Sequence, residues 1–318
     1  MSQLNILEDL KSSIYLIAGD ASPRKFYRYL NQKGKILVYC KKDKKNNLEK
    51  YVKINNFLLN QKIRVPKTFN KAIKKNFIVI EDLGDKSLKS LLRKTNNTKL
   101  FNQIIDYLIK LQKVKIIKSI PKYSYITLQK ELNLFFDWYL PEFFNQKKIF
   151  KIRSEINKAL KPFLLEINKQ NNFFVHRDFH LENLIMTKKG IAMIDTQDAV
   201  IGHQAYDLAS LIDDVRIKLP INLQNKLLKF YYSKSNLKGE KYQNLKNDFD
   251  ILSVQRNLKI LGIFVRLSKR DNKSTYLKYL PYTWSLINRR LKNPFFKNFR
   301  LLLNNHVKIK KLKKIDTL

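Results

Sequence analysis

One cysteine, Cys40, is all that 318 residues contain, so neither an intramolecular disulfide nor the usual multi-cysteine zinc site can form. That usage fits a reducing compartment. Long apolar runs are missing too: no segment approaches the roughly eighteen residues of a membrane-crossing helix. The opening MSQLNILEDLKSS has no basic stretch leading into an apolar one. The expectation is a cytoplasmic protein with no signal peptide and no membrane partner. Gly/Ser linkers and internal repeats are also lacking, and 38.0 kDa suits one two-lobed domain or two small ones.

Acidic residues are scarce, 26 against 64 Lys and Arg, which leaves a net charge of +38. A nucleic-acid partner is the obvious functional explanation. The lysines, however, are spread along the whole chain among Asn and Ile, with no arginine-rich stripe and no recognisable nucleic-acid module. A lysine-biased composition is the reading adopted, and its positive field would still help recruit ATP and other anions.

What is present is concentrated between Asn172 and Asp198, NFFVHRDFHLENLIMTKKGIAMIDTQD. An apolar strand (Phe173, Phe174, Val175) enters a polar loop from His176 to Asn183. Two short apolar runs, Leu184–Met186 and Ile191–Ile194, then flank the turn-like Lys188-Lys189-Gly190, the pattern of a β-hairpin. Pairing that is symmetric about Lys189 sets Asn183 opposite Asp195, where an amide oxygen and a carboxylate can share one hard cation. A bulge in the turn would shift that register while keeping the two ends close. Asp178, on the loop entering the hairpin, is a carboxylate that can accept a proton. Together these three are the minimal set for magnesium-dependent phosphoryl transfer.

His176-x-Asp178-x-x-x-x-Asn183 followed by Asp195 resembles the catalytic and metal-binding motif of the aminoglycoside phosphotransferase and choline kinase family, relatives of the protein kinases. Asp195-Thr196-Gln197 stands where protein kinases have D-F-G. HRDFHLENL, IDTQDAVIGHQAYDLASLIDD and QRNLKILGIFVRL are similar to bacterial anomeric kinases that phosphorylate N-acetylmuramate and N-acetylglucosamine at C1 in peptidoglycan recycling. The resemblance implies an α+β, two-lobed, protein-kinase-like fold: a small β-rich N-terminal lobe over residues 1–83 that binds nucleotide, and a larger, mainly helical catalytic and acceptor-binding lobe over 84–318. It implies ATP and Mg2+, Asp178 as the catalytic carboxylate, Asn183 and Asp195 as metal ligands, and His176 and Arg177 as loop scaffold. His180 meets either the acceptor or the loop backbone. His176 and His180 mimic a zinc spacing, but no helical H-E-x-x-H and no third ligand accompany them. Two alternatives stand beside this reading: a kinase of another hydroxyl acceptor, such as an aminoglycoside or choline, and a non-catalytic kinase-like protein associated with nucleic acid. The chain shows no acidic cleft for a cationic acceptor, which points to a neutral or anionic sugar.

Upstream, the strand candidate Ile14–Ala18 precedes Gly19-Asp20-Ala21-Ser22. Alone, one glycine between strands is an ordinary turn. In the family context, the segment up to Arg28 is similar to the nucleotide-covering loop, with Gly19 to Ser22 approaching phosphate. The strand Ile36–Cys40 has no lysine where protein kinases place the one that pairs with the α- and β-phosphates. Lys41 and Lys42 follow that strand, and Glu49 opens the helix that supplies the lysine's partner in the relatives. Phe77–Ile80 ends in Glu81-Asp82-Leu83-Gly84, similar to the hinge whose backbone near Glu81 and Leu83 bonds the adenine edge.

Beyond the hinge the periodicity is helical, and ELNLFFDWYLPEFF, from Glu131 to Phe144, reads as an aromatic helix stopping near Pro141. Asp207 is placed to cap a helix that starts at Tyr206, in addition to its family role as loop scaffold. Asp213 and Asp214 are either a solvated pair or, through Asp214, acceptor ligands. Gln255 and Arg256, on an apolar helix near Phe249–Leu267, either meet an internal partner or line the substrate site.

Overall fold

The structure, a computed structural model, describes residues 13–19, 24–40, 46–92, 98–235 and 241–306. Asp20, Ala21, Ser22, Lys41 and Lys42 lie outside the described residues. The chain divides into two compact units, one of residues 1–100, 113–115 and 178–199, the other of 101–112, 116–177 and 200–318.

The first unit is built on a five-stranded antiparallel sheet of β1 (Ile14–Ala18), β2 (Arg24–Tyr29), β3 (Lys35–Cys40), β4 (Thr68–Ala72) and β5 (Phe77–Glu81), in the order β1-β2-β3-β5-β4. Its two inner strands are buried on both faces, Leu37 and Val79 on one and the helix-packed residues on the other. Ile36, Val38 and Cys40 of β3, with Ile78 and Ile80 of β5, pack against Leu48, Tyr51 and Val52 of helix α1 (Asn46–Asn60). Helix spacing of three and four puts those α1 residues on one stripe. Each apolar side chain so buried contributes about 1.5–3 kcal/mol. β4 has no such alternation and is mostly exposed, as an edge strand can be.

The hairpin of β7 (Leu184–Thr187) and β8 (Gly190–Met193) belongs to the same unit. Its pairs are Leu184 with Met193 and Thr187 with Gly190, which corrects the register expected from the sequence. The turn closes on two residues, Lys188 and Lys189, and Gly190 takes a φ of +96°. Asn183 therefore faces Ile194, whose N–H it accepts at 3.0 Å, and Asp195 lies one residue further on.

The second unit is mostly helical, with one small sheet of β6 (Phe173–Val175) paired to β9 (Val200–Gly202). At its centre runs a 30-residue helix, Tyr242–Asp271, buried along most of its length. Another helix, Tyr125–Leu134, meets this long one and opens into a π turn, Phe135–Tyr139, before a short 3-10 turn at Leu140–Glu142. The aromatic segment is thus three pieces rather than the single helix expected. Trp284 Nε1 donates to the Tyr139 hydroxyl at 2.5 Å, and Phe135 stacks on Tyr139. Among the described residues no helix is long and apolar enough to cross a membrane.

Gly262 of the long helix explains how the π turn is accommodated. A Cβ there would lie 2.1 Å from the Leu134 carbonyl oxygen and 2.6 Å from the Phe135 nitrogen, so the two backbones meet directly. Gly262→Ala is expected to destabilise the fold by about 1–3 kcal/mol, several degrees in a thermal melt. An unchanged melting temperature would mean that the backbones have room to part.

Candidate active site

A cavity of about 470 Å3 opens within the first unit. Ile17, Phe26, Ile36, Ile80, Ile185 and Ile194 give it apolar walls, and Arg24, Asn183 and Asp195 add polar groups. Of the residues expected from sequence, Gly19, Glu81, Leu83, Asn183 and Asp195 line it. Asp178 is joined to it through Asn183, whose Nδ2 donates to the Asp178 carbonyl at 3.0 Å. That bond uses the amide nitrogen and leaves Oδ1 as the hard oxygen for a cation.

Each of these side chains is placed by local structure. The His180 N–H donates to the Asp178 carbonyl and the Asn183 N–H to the His180 carbonyl, both at 2.9 Å, so the loop closes as a tight turn. His180 is buried, with Nε2 3.4 Å from Asn183 Nδ2. The hairpin is tied back by Met186 N–H to the Lys86 carbonyl, by Met193 N–H to the Arg64 carbonyl and by a Lys89–Glu182 ion pair. At Asp195 the backbone turns left-handed, φ +66° and ψ +41°. A strand continuing from β8 would alternate its side chains; this turn instead re-aims the carboxylate, at a cost of roughly 1–2 kcal/mol for a residue with a Cβ.

Arg24 meets that carboxylate. Its guanidinium pairs with Asp195 and donates to Gln197 Oε1 at 2.6 Å, with the Phe26 and Tyr51 rings 5.5 and 5.7 Å away. Burial pushes the Tyr51 hydroxyl up to about 12, so it stays neutral beside the pair. Gly19, at φ +144°, allows the approach: a Cβ would lie 2.8 Å from the Arg24 carbonyl. Thr196 donates to Asn55 Oδ1 on α1 at 2.5 Å, so the Thr-Gln pair after Asp195 is held by hydrogen bonds. Arg24 is a lining residue that no motif in the sequence marks. The signal was period-two alternation, since Arg24, Phe26 and Arg28 all line the cavity.

The Glu81 side chain serves the sheet, binding Arg64 through both oxygens at 2.5 and 2.7 Å. Burial raises its carboxyl, but the guanidinium and the Lys67 N–H outweigh that and hold it below the ordinary value. Glu49 is exposed in the first turn of α1.

The remaining expected residues lie in the second unit. Asp207 does not cap its helix. That helix, Ala205–Ile212, starts earlier than expected, with Gln204 at the cap position and no capping side chain. Asp207 faces inward and accepts the backbone N–H groups of His176 and Arg177 at 2.7 and 3.0 Å. Arg177 has a φ of +74° and pairs with buried Glu131, which also accepts from the Tyr123 hydroxyl and binds Lys259 at 2.9 Å. Asp213 and Asp214 are buried rather than solvated. Asp213 binds Arg290 through two bonds and accepts from Ser253, while Asp214 accepts from the Arg216 N–H at 3.0 Å. Gln255 Nε2 donates to the Leu128 carbonyl at 3.1 Å, an internal partner, and Arg256 is buried beside it. Among the described residues no cluster of three or more His, Cys, Asp or Glu forms a metal site. An amide oxygen with one carboxylate instead suits a cation that takes its other ligands from phosphate and water.

Residues 13–239 match the family described as "Phosphotransferase enzyme family". N-acetylmuramate/N-acetylglucosamine kinase of Pseudomonas aeruginosa is 28% identical over 268 residues, 83% of this chain and 79% of that protein. The protein of the same name from Neisseria meningitidis serogroup B is 29% identical over 273 residues, 83% and 81% of the two chains. The ADP-bound crystal structure of an aminoglycoside phosphotransferase superposes with a TM-score of 0.63 at 13% identity, over 90% of this chain and 97% of that one. The fold is accordingly protein-kinase-like.

The Glu131 network carries a pH dependence. Burial raises the Glu131 carboxyl, but Lys259, Arg177 and Tyr123 outweigh it and hold it below the ordinary value of about 4.3. The unfolded chain therefore takes up the proton first. The stabilisation is complete above that ordinary value and is lost as pH falls toward the lowered one. Glu131→Gln is expected to cost about 3–5 kcal/mol at pH 7 by stranding buried cations, and the gap to the parent should narrow below about pH 4 in denaturant titrations. A gap independent of pH would remove the charge from the explanation.

Proposed function

The chain belongs to the phosphotransferase enzyme family, and from that premise we propose that it uses ATP to phosphorylate the anomeric C1 hydroxyl of N-acetylmuramate and N-acetylglucosamine, giving a glycosyl 1-phosphate for cell-wall precursor salvage. The observation that carries the nucleotide half is the cavity itself, apolar walls around Arg24, Asn183 and Asp195. The acceptor half rests on the kinase relatives, which align over most of this chain.

The apolar walls exclude water and seat the adenine, with backbone near Glu81 and Leu83 at its polar edge. Asn183 and Asp195 would hold a magnesium ion, which when bound would neutralise charge on the phosphate oxygens. Asp178 orients the acceptor hydroxyl and takes its proton as the new phosphorus–oxygen bond forms and the bond to the departing ADP breaks. The anomeric hydroxyl is more acidic than an ordinary alcohol, so a weak carboxylate base suffices. Asp207 accepts the N–H groups of His176 and Arg177 and so fixes the backbone that leads into Asp178. His180, Asp214 and Arg256 remain the candidates for acceptor binding.

The test is ATP consumption with magnesium against N-acetylmuramate, N-acetylglucosamine, glucose, kanamycin and choline. Selective turnover of the two acetylated sugars is expected, with an acid-labile, alkali-stable phosphate on the product. Asp178→Asn should lower the rate by about 10^2–10^4-fold. Consumption with kanamycin or choline alone would overturn the acceptor and leave the phosphotransferase.

A further inference from the structure

The cavity's lining includes two cationic side chains among the described residues, and their pairing differs. Arg28 is held by two carboxylates, Asp82 at 2.6 Å and Asp85 at 2.7 Å. Its guanidinium in turn holds the Asp85 carboxyl below its ordinary value. Arg24 pairs with Asp195 and donates to the neutral amide of Gln197. Asp195 is the lining carboxylate that Arg24 meets, whereas Glu81 pairs with Arg64 and Asp85 with Arg28.

Arg24 is 3% exposed and opens β2 directly across from Cys40, the last residue of β3. No lysine occurs between Ile36 and Cys40. We infer that Arg24 is the residue that takes the nucleotide's phosphate chain, and that it releases Asp195 in doing so. The guanidinium carries five N–H donors in a planar fork, so it can exchange a carboxylate for phosphate oxygens while keeping Gln197. Phe26 and Tyr51 flank the group and keep its charge in the cavity. Asp195 is left without its counter-charge and becomes available to a cation. Nucleotide without a cation then sets phosphate against an unneutralised carboxylate, so the two bind as a pair.

This rests on the nucleotide reading of the cavity, and the experiment separates the two. ADP affinity is measured by calorimetry on the full chain, in EDTA and then with magnesium. In EDTA, Arg24→Gln should weaken ADP at least tenfold, the size of a lost charge-assisted contact. Arg24→Lys should recover most of that loss. Asp195→Asn should tighten metal-free ADP, because it removes the competitor for Arg24, and should weaken the gain from magnesium. Arg24→Gln also strands Asp195, so the double variant Arg24→Gln/Asp195→Asn serves as the control. Binding that stays weak in the double variant supports lost phosphate contact. A return to parental affinity would falsify it, since the single variant then suffered only from an unpaired carboxylate. Parental ADP binding unmoved by Arg24→Gln overturns the inference alone, and a parent that binds no ADP even with magnesium overturns the nucleotide reading with it.

Discussion

A carboxylate facing a largely apolar cavity needs a counter-charge, and the architecture around the hairpin follows from how Arg24 meets Asp195. Asp195 keeps 36% of its side chain exposed, so losing the pair would cost less than the ~3–5 kcal/mol of a fully buried one. A weaker hold is easier to exchange for a ligand. The features that place the pair are backbone ones: a left-handed residue at Asp195, a missing Cβ at Gly19, and the Ile194–Asn183 bond that closes the hairpin. Gln197 and Thr196 extend the arrangement to Arg24 and to Asn55 on α1. A hydrogen bond to α1 thereby holds a segment in which protein kinases carry the Phe of D-F-G.

The second unit uses the opposite arrangement. Glu131 is buried and surrounded by Arg177, Lys259 and Tyr123, and Asp207 is spent on two backbone N–H groups. A fully committed carboxylate rigidifies what it touches, because moving any partner leaves a charge unanswered in low dielectric. The positive φ of Arg177 persists against its intrinsic cost because side chain and N–H are both tied down. One fold thus holds a committed carboxylate under a loop and an exchangeable one in a cavity.

Much of this was legible in the chain. Apolar runs bounded by turn residues placed β3, β5, β7 and β8, and helical spacing placed α1 and the long helix around Gly262. The register of the hairpin was not legible to one residue, because it depends on where the positive φ falls in Lys188-Lys189-Gly190. Asp207 looked like a cap because Asp near a helix start usually is one; tertiary donors outcompeted the helix's own N–H groups. Asp213 looked solvated because its partners, Arg290 and Ser253, lie far along the chain, and Asp214 because its burial comes from tertiary packing rather than local pattern. β2 was hidden by its arginines: Arg24 and Arg28 fill inward positions that composition assigns to the surface.

The net charge of +38 does not explain the cavity. Its lining holds three carboxylates, Glu81, Asp85 and Asp195, against the guanidinium groups of Arg24 and Arg28. The surplus lysines therefore act from outside, and a Debye length of about 8 Å confines their pull mostly to the approach of an anion. Holding a polyphosphate inside must depend on local chemistry. Each lining carboxylate is paired with a guanidinium, so a bare nucleotide must displace Asp195 from Arg24 without compensation, whereas a nucleotide arriving with a divalent cation offers positive charge to Asp195 and phosphate oxygens to Arg24. The cavity selects for the pair because neither component alone satisfies both ends of the bond it replaces.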